Sequence, residues 1–161
     1  MGANRKEWKI TNRTEDLTRV SREMAEWLEE CRFPDPACYA ARLAVEEIAG
    51  NTIKYGYGED AAEGTRESSV AATDEGDYLR LDFLDDGFEF NPLLLGDIDV
   101  EEVLSEPRDG GLGLALMRQI ADRMSYEREG QRNHLTVWIL KRDADEADDA
   151  AAEGEEEGTE P

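Results

Sequence analysis

The chain has 161 residues, the length of one ordinary domain with a single core, which argues against a repeat array or a multidomain enzyme. Its 40 acidic residues against 18 basic ones give a formal charge of -22, so a duplex nucleic acid or an anionic membrane surface would be repelled by most of its exterior. No stretch approaches the roughly 18 to 20 apolar residues that span a bilayer, and the opening "MGANRKEWKI" lacks the apolar segment of a signal peptide, so a cytoplasmic protein is expected.

The first predicted element is a short strand at 7–11, "EWKIT", in which Trp8 and Ile10 alternate with polar neighbours. From Thr14 to Cys31 the residues Leu17, Val20, Met24, Leu28 and Cys31 recur at helical spacing, with Thr14 and Asp16 as the start signal. "FPDPA" breaks this helix, and Asp35-Pro36 opens a second one that runs to about Tyr55, where Gly56 and Gly58 stop it. Cys31 and Cys38 flank the break. Two cysteines are too few for a disulfide framework and a single histidine cannot complete a zinc site, so both are expected as reduced, partly buried thiols.

Residues 60–66 read as a loop and "ESSVAAT" as an irregular strand, whereas "DYLRLDFL" alternates Leu79, Leu81 and Phe83 with Arg80 and Asp82. From Asp85 to Gly110 regular pattern fades, apart from a helical turn near Val100 to Leu104; a connection this long inside a compact domain is usually functional or mobile. A third helix is expected at about Leu112 to Arg123, burying Leu116, Met117, Ile120 and Met124, followed by a hairpin of "SYERE" and "HLTVWILK" around Gly130 to Arg132. Residues 143–161 carry ten acids and no Lys or Arg, which leaves -12 on the first 142 residues and marks 143–161 as a disordered, solvated acidic tail. The order of elements predicts an α/β sandwich over 1–142, with helices layered on one face of a mostly antiparallel sheet.

Three segments could carry chemistry. In "AVEEIAGN" on the second helix, Glu47 and Asn51 lie one turn apart and project in similar directions, beside the apolar Leu43, Ala44 and Ile48. Helix geometry alone reads this pair equally as a hydrogen-bonded structural couple or as site residues; Glu46 is the less interesting acid because Arg42 can pair with it. The strand "LRLDFL" runs into "DDGFEFNP", placing Asp85 at the mouth of a sheet and Gly87 where the backbone turns sharply or admits a close neighbour. "RDGGLGLALMRQI" leads Gly110, Gly111 and Gly113 into a helix, a ready phosphate site as well as a common structural turn. There is no P-loop, no complete dinucleotide fingerprint and no eukaryotic-type kinase catalytic loop, since His134 is followed by Leu135.

Taken in order, these segments resemble the ATPases that unite gyrase, heat-shock chaperone, histidine kinase and mismatch-repair proteins (the GHKL superfamily), and within them the bacterial anti-sigma factor serine/threonine kinases. "LAVEEIAGNTIKYGY" is similar to that family's N-box, "LDFLDDGFEFNP" to its first glycine box, and "GGLGLALMRQIADRMSYEREGQRNHLTVWI" to its second glycine box and closing hairpin, so that the likeness covers about Trp8 to Lys141. It implies a two-layer Bergerat-type fold with three helices on one face of the sheet. It also implies roles: Asn51 as a ligand of Mg²⁺ on the phosphates, Asp85 as acceptor for the adenine amino group, and Gly87 as the gap that leaves room for the base. Gly110, Gly111 and Gly113 would bring amides to the phosphates, Thr136 would help hold a water beside the adenine, Glu47 would act as catalytic base, and residues from about 91 to 110 would form a lid. Many relatives carry His where Tyr55 stands, and the wider superfamily has a glycine where Glu89 stands. The family's activity is ATP-dependent phosphorylation of a Ser or Thr on a small STAS-like anti-sigma antagonist, alternating with capture of a sigma factor, and relatives suggest a homodimer, for which the short first strand offers an edge. The alternative is an ATP-gated binding module that transfers no phosphoryl group. A histidine kinase reading fits poorly, because His134 falls in a predicted strand.

Overall fold

The computed structural model describes residues 4–94 and 112–141. Gly110, Gly111, residues 95–110 of the expected lid, the turn at 100–104 and the acidic tail therefore lie outside the described residues. Five strands, β1 (Arg5–Thr11), β2 (Glu67–Asp74), β3 (Tyr78–Asp85), β4 (Arg123–Glu129) and β5 (Arg132–Leu140), form one sheet in the order β1-β2-β3-β5-β4. Every pairing is antiparallel.

Alternation along each strand decides which face is covered. Leu79, Leu81 and Phe83 of β3, their β5 partners Ile139, Val137 and Leu135, and Val70 and Ala72 of β2 all point to one side. There they meet Val20, Met24 and Leu28 of α1 (Thr14–Glu30), the alanines of α2 (Asp35–Ala44) and Met117 of α3 (Leu112–Ile120), forming a single core. Each large apolar side chain buried in this way contributes about 1.5–3 kcal/mol. The result is a two-layer α/β sandwich, with β1 and β4 as the sheet edges. Among the described residues no helix is long and apolar enough to cross a membrane.

α1 starts at Thr14 as expected; Arg13 holds the N-cap position without a side-chain bond, and the Asp16 carboxylate accepts from the Thr11 amide at 2.9 Å and the Thr11 hydroxyl at 2.8 Å, riveting helix to strand. Those bonds, the amide first, hold the Asp16 carboxyl below its usual range. The third helix stops at Ile120 rather than Arg123, because the Asp122 amide leaves the helical ladder and donates to the Trp138 carbonyl on β5 at 2.8 Å. Its covered face carries Leu114, Ala115 and Met117; Ile120 is 39% exposed, and Met124 belongs to β4. Cys31 and Cys38 are free and partly buried as expected, and burial pushes both thiols up.

Candidate functional site

The second helix does not continue as a regular α-helix to Tyr55. After Ala44 it passes through two wide, π-type turns, Val45–Ala49 and Thr52–Gly56. Such turns hold more residues per revolution and are frequent at functional sites. They alter the angular offset between Glu47 and Asn51, which regular α geometry puts on similar bearings. Asn51 faces a cleft of about 380 Å³, together with Thr52, Tyr55 and Gly56. Glu47 is not among the residues lining that cleft; its carboxyl packs against Gly113 at the start of α3, where any side chain on residue 113 would overlap it.

The cleft is a mainly apolar slot. Phe83 and Leu135, register partners on β3 and β5, form its floor, and Ile48 and Leu114 close it from the helix layer. Phe88, Phe90 and Tyr55 line it while remaining exposed themselves. Asp85 sits at the end of β3, opposite Asn133 on β5. The Asp85 Oδ1 atom accepts from the Asn133 amide at 2.8 Å and from the Gly87 backbone N–H at 2.9 Å. An apolar slot with a few fixed polar groups suits a flat, mostly apolar ring with a polar edge.

Asn133 is the residue that sequence reasoning missed. It is buried, and its amide also donates to the Phe88 carbonyl at 2.8 Å, while its Oδ1 accepts from Arg128 at 3.0 Å and from the Tyr126 hydroxyl. Arg128 donates in addition to the Gly87 carbonyl at 2.9 Å, so the segment after β3 is tied down from both sides. Gly87 lies tight against the second wide turn: a Cβ there would collide with the Gly56 carbonyl, the same oxygen that accepts from the Phe88 amide at 2.8 Å. The close approach is between two backbone segments. Burial pushes the nearby Tyr57 phenol up to about 12, so it stays neutral at ordinary pH.

Thr136 is not brought to the cleft. Residues 133, 135, 137 and 139 of β5 face the helices, so Thr136 faces the opposite side, where its hydroxyl donates to Asp82 at 3.1 Å. Asp82 also bonds His134 at 2.8 Å and Arg80 at 2.9 Å. Burial works to raise the Asp82 carboxyl, but these three partners outweigh it and hold it below the usual range. Among the described residues no group of three His, Cys, Asp or Glu side chains could cage a metal ion. A lone amide oxygen such as that of Asn51 suits a hard cation that keeps most of its coordination from phosphate and water.

The antiparallel sheet backed by three helices thus brings an acid at the end of an inner strand and an amide on a facing helix to one apolar cleft. A profile of the histidine kinase-like ATPase domain matches residues 10–139, and the chain belongs to that family. The fold is shared with the solved RsbU and RsbW domains of Rv1364c from Mycobacterium tuberculosis, at a TM-score of 0.57 and 16% identity over 88% of this chain and 34% of that one. The present chain thus spans about a third of that protein's chain. The histidine kinase AdeS of Acinetobacter baumannii aligns at a TM-score of 0.44 and 14% identity over 86% of this chain and 68% of that one. No curated protein matches the sequence.

Proposed function

We propose that this domain binds Mg-ATP in the cleft and acts as an anti-sigma factor type regulator, phosphorylating a Ser or Thr of a small STAS-like antagonist and otherwise holding a sigma factor. The observation that carries this reading is the meeting of Asp85 and Asn51 in one apolar cleft. The Asp85 carboxylate can accept from an exocyclic amine, and the slot over the floor of Phe83 and Leu135 is apolar enough for the ring. Gly87 keeps the segment after Asp85 close to the wide turn that ends at Gly56, and Thr136 bonds Asp82 on the far face of the sheet. Asn51 would hold Mg²⁺, which supplies charge neutralisation at the phosphates. Amides of Gly113, and of Gly110 and Gly111 before it, are proposed to receive the phosphates at the amino end of α3. Residues 91–110 are proposed as the lid, 143–161 as a solvated acidic tail, and the cytoplasm as the location. A homodimer is compatible with the exposed β1 edge.

Phosphoryl transfer to a hydroxyl needs positioning and a base. Glu47 is assigned that role because it lies one turn before Asn51 and against the first turn of α3. The second reading, an ATP-gated binding module, is favoured by one observation: the Glu47 carboxyl packs on Gly113 instead of opening on the cleft. Glu47→Gln separates the two. Under the kinase reading it binds Mg-ATP within about a factor of a few of the parent and loses transfer to a co-encoded antagonist by on the order of 100-fold. A parent that binds ATP but phosphorylates no partner would leave the module reading standing.

A further inference from the structure

We infer that Asn133 is a positioning residue for base recognition: it holds one oxygen of Asp85, keeps Arg128 apart from that carboxylate, and leaves the other oxygen to accept from an amino group on the ligand. The inference rests on the ATP-binding reading of the cleft and deepens it, by assigning the preference for an amino-bearing purine edge to a residue that does not itself line up as an acid or a glycine-box position.

The chemistry of the three partners allows little else. Arg128 is a donor only, and an ionised Asp85 is an acceptor only. Left adjacent, the two would close into a forked ion pair that occupies both carboxylate oxygens. Asn133 stands between them with an acceptor toward Arg128, at 3.0 Å, and a donor toward Asp85, at 2.8 Å. Its amide orientation is fixed by the surroundings: the Phe88 carbonyl and the Asp85 carboxylate must face its NH₂ group, and the Arg128 guanidinium must face its oxygen. Leucine at this position would leave Asp85 and Arg128 with only their bonds to Gly87 and nothing to keep them from pairing, and aspartate would set two carboxylates against each other.

The bonds to Asp85 also select an oxygen. Both the Asn133 amide and the Gly87 N–H end on Oδ1, and among the described residues no hydrogen bond is made to Oδ2. Asp85 itself lines the cleft, so the uncommitted oxygen is the one available to a bound base. Arg128 meanwhile is held by the Gly87 carbonyl at 2.9 Å, away from the acceptor that reads the ligand.

The test is calorimetric titration of the full chain, as parent, Asn133→Leu and Asn133→Asp, with ATP and with purine riboside triphosphate, which has the same phosphates and ring but no amino group; melting temperatures are taken alongside. The parent is expected to prefer ATP by about tenfold or more, the worth of one hydrogen bond to a charged group. In both variants that ratio should fall toward one, while affinity for purine riboside triphosphate stays within a factor of a few. Equal losses for the two nucleotides, or a ratio kept at the parent value, would overturn the inference and make Asn133 a purely structural residue. If Asn133→Leu does not fold, Asn133→Asp, of the same shape and polar, carries the comparison. A parent that binds both nucleotides alike would instead refute base reading by Asp85, and the role of Asn133 would fall with it.

Discussion

Gly87→Ala probes the junction on which the cleft depends. The added Cβ would overlap the Gly56 carbonyl and come within 3.0 Å of the Asp85 carboxylate and of the Gly56 carbonyl carbon. Two of these neighbours are backbone and cannot swing aside as a flexible side chain could, so the segment after β3 must move away from the turn at Gly56. That movement strains the packing, at about 1–3 kcal/mol, and lengthens the bond from the Phe88 amide to Gly56, whose loss costs about 1 kcal/mol. Together they amount to about 2–4 kcal/mol. At roughly 3–4 °C per kcal/mol for a domain of this size, the melting temperature should fall by about 6–16 °C. Urea unfolding followed by tryptophan fluorescence should show the midpoint falling with an unchanged slope, since the exposed area on unfolding is the same. A variant within about 1 °C of the parent would show that the Gly56 and Gly87 backbones are not in contact and would refute the packing argument.

Asn51→Ala should weaken ATP by about tenfold in the presence of Mg²⁺ and hardly at all in its absence, because only the cation loses an oxygen; titrations with and without Mg²⁺ measure this. Asp82 has a carboxyl held below its ordinary value in the fold, so its stabilising contribution is complete above the unfolded value near pH 3.9 and disappears as pH falls through the lower folded value. Asp82→Asn should therefore be less stable at pH 7 and show a shallower loss of stability below about pH 4, read from denaturant midpoints across pH; parallel profiles would count against the network with His134, Arg80 and Thr136. Truncation after Arg142 should leave the melting temperature and ATP affinity unchanged, and a fall of several degrees would show that the acidic segment packs on the domain.

Much of the fold is legible because each inner strand alternates cleanly: Leu79, Leu81 and Phe83 on β3 and Leu135, Val137 and Ile139 on β5 announce their own covered face. The same parity excludes Thr136 from the cleft, since it is one step out of phase with Leu135; the family likeness, not the strand pattern, is what suggests Thr136 beside the base. Asn133 shows no signal of its own, being a polar residue near a hairpin. It becomes legible only through register: a turn at Gly130 sets Arg128 opposite Asn133, and the next strand sets Asn133 opposite Asp85. The wide turns of α2 are invisible because apolar spacing over so few residues cannot distinguish them from α geometry, and they change which of Glu47 and Asn51 reaches the cleft.

Those wide turns bear on the number of residues as well as on their identity. Each is equivalent to an insertion absorbed inside a helix, without a loop to take up the slack. Removing one residue inside a wide turn would let that turn relax to regular α geometry with the helix beyond it keeping its bearing, whereas removing one from the regular turns of Asp35–Ala44 would rotate everything beyond it by about 100°. Asn51, Tyr55 and the Gly56 carbonyl would then be carried round the helix axis, and the seat of Gly87 would go with them. Length can drift in the loop before β2, where the chain has no such bearing to keep. A single-codon deletion is therefore a larger event in the regular turns of α2 than in the wide turns that follow them.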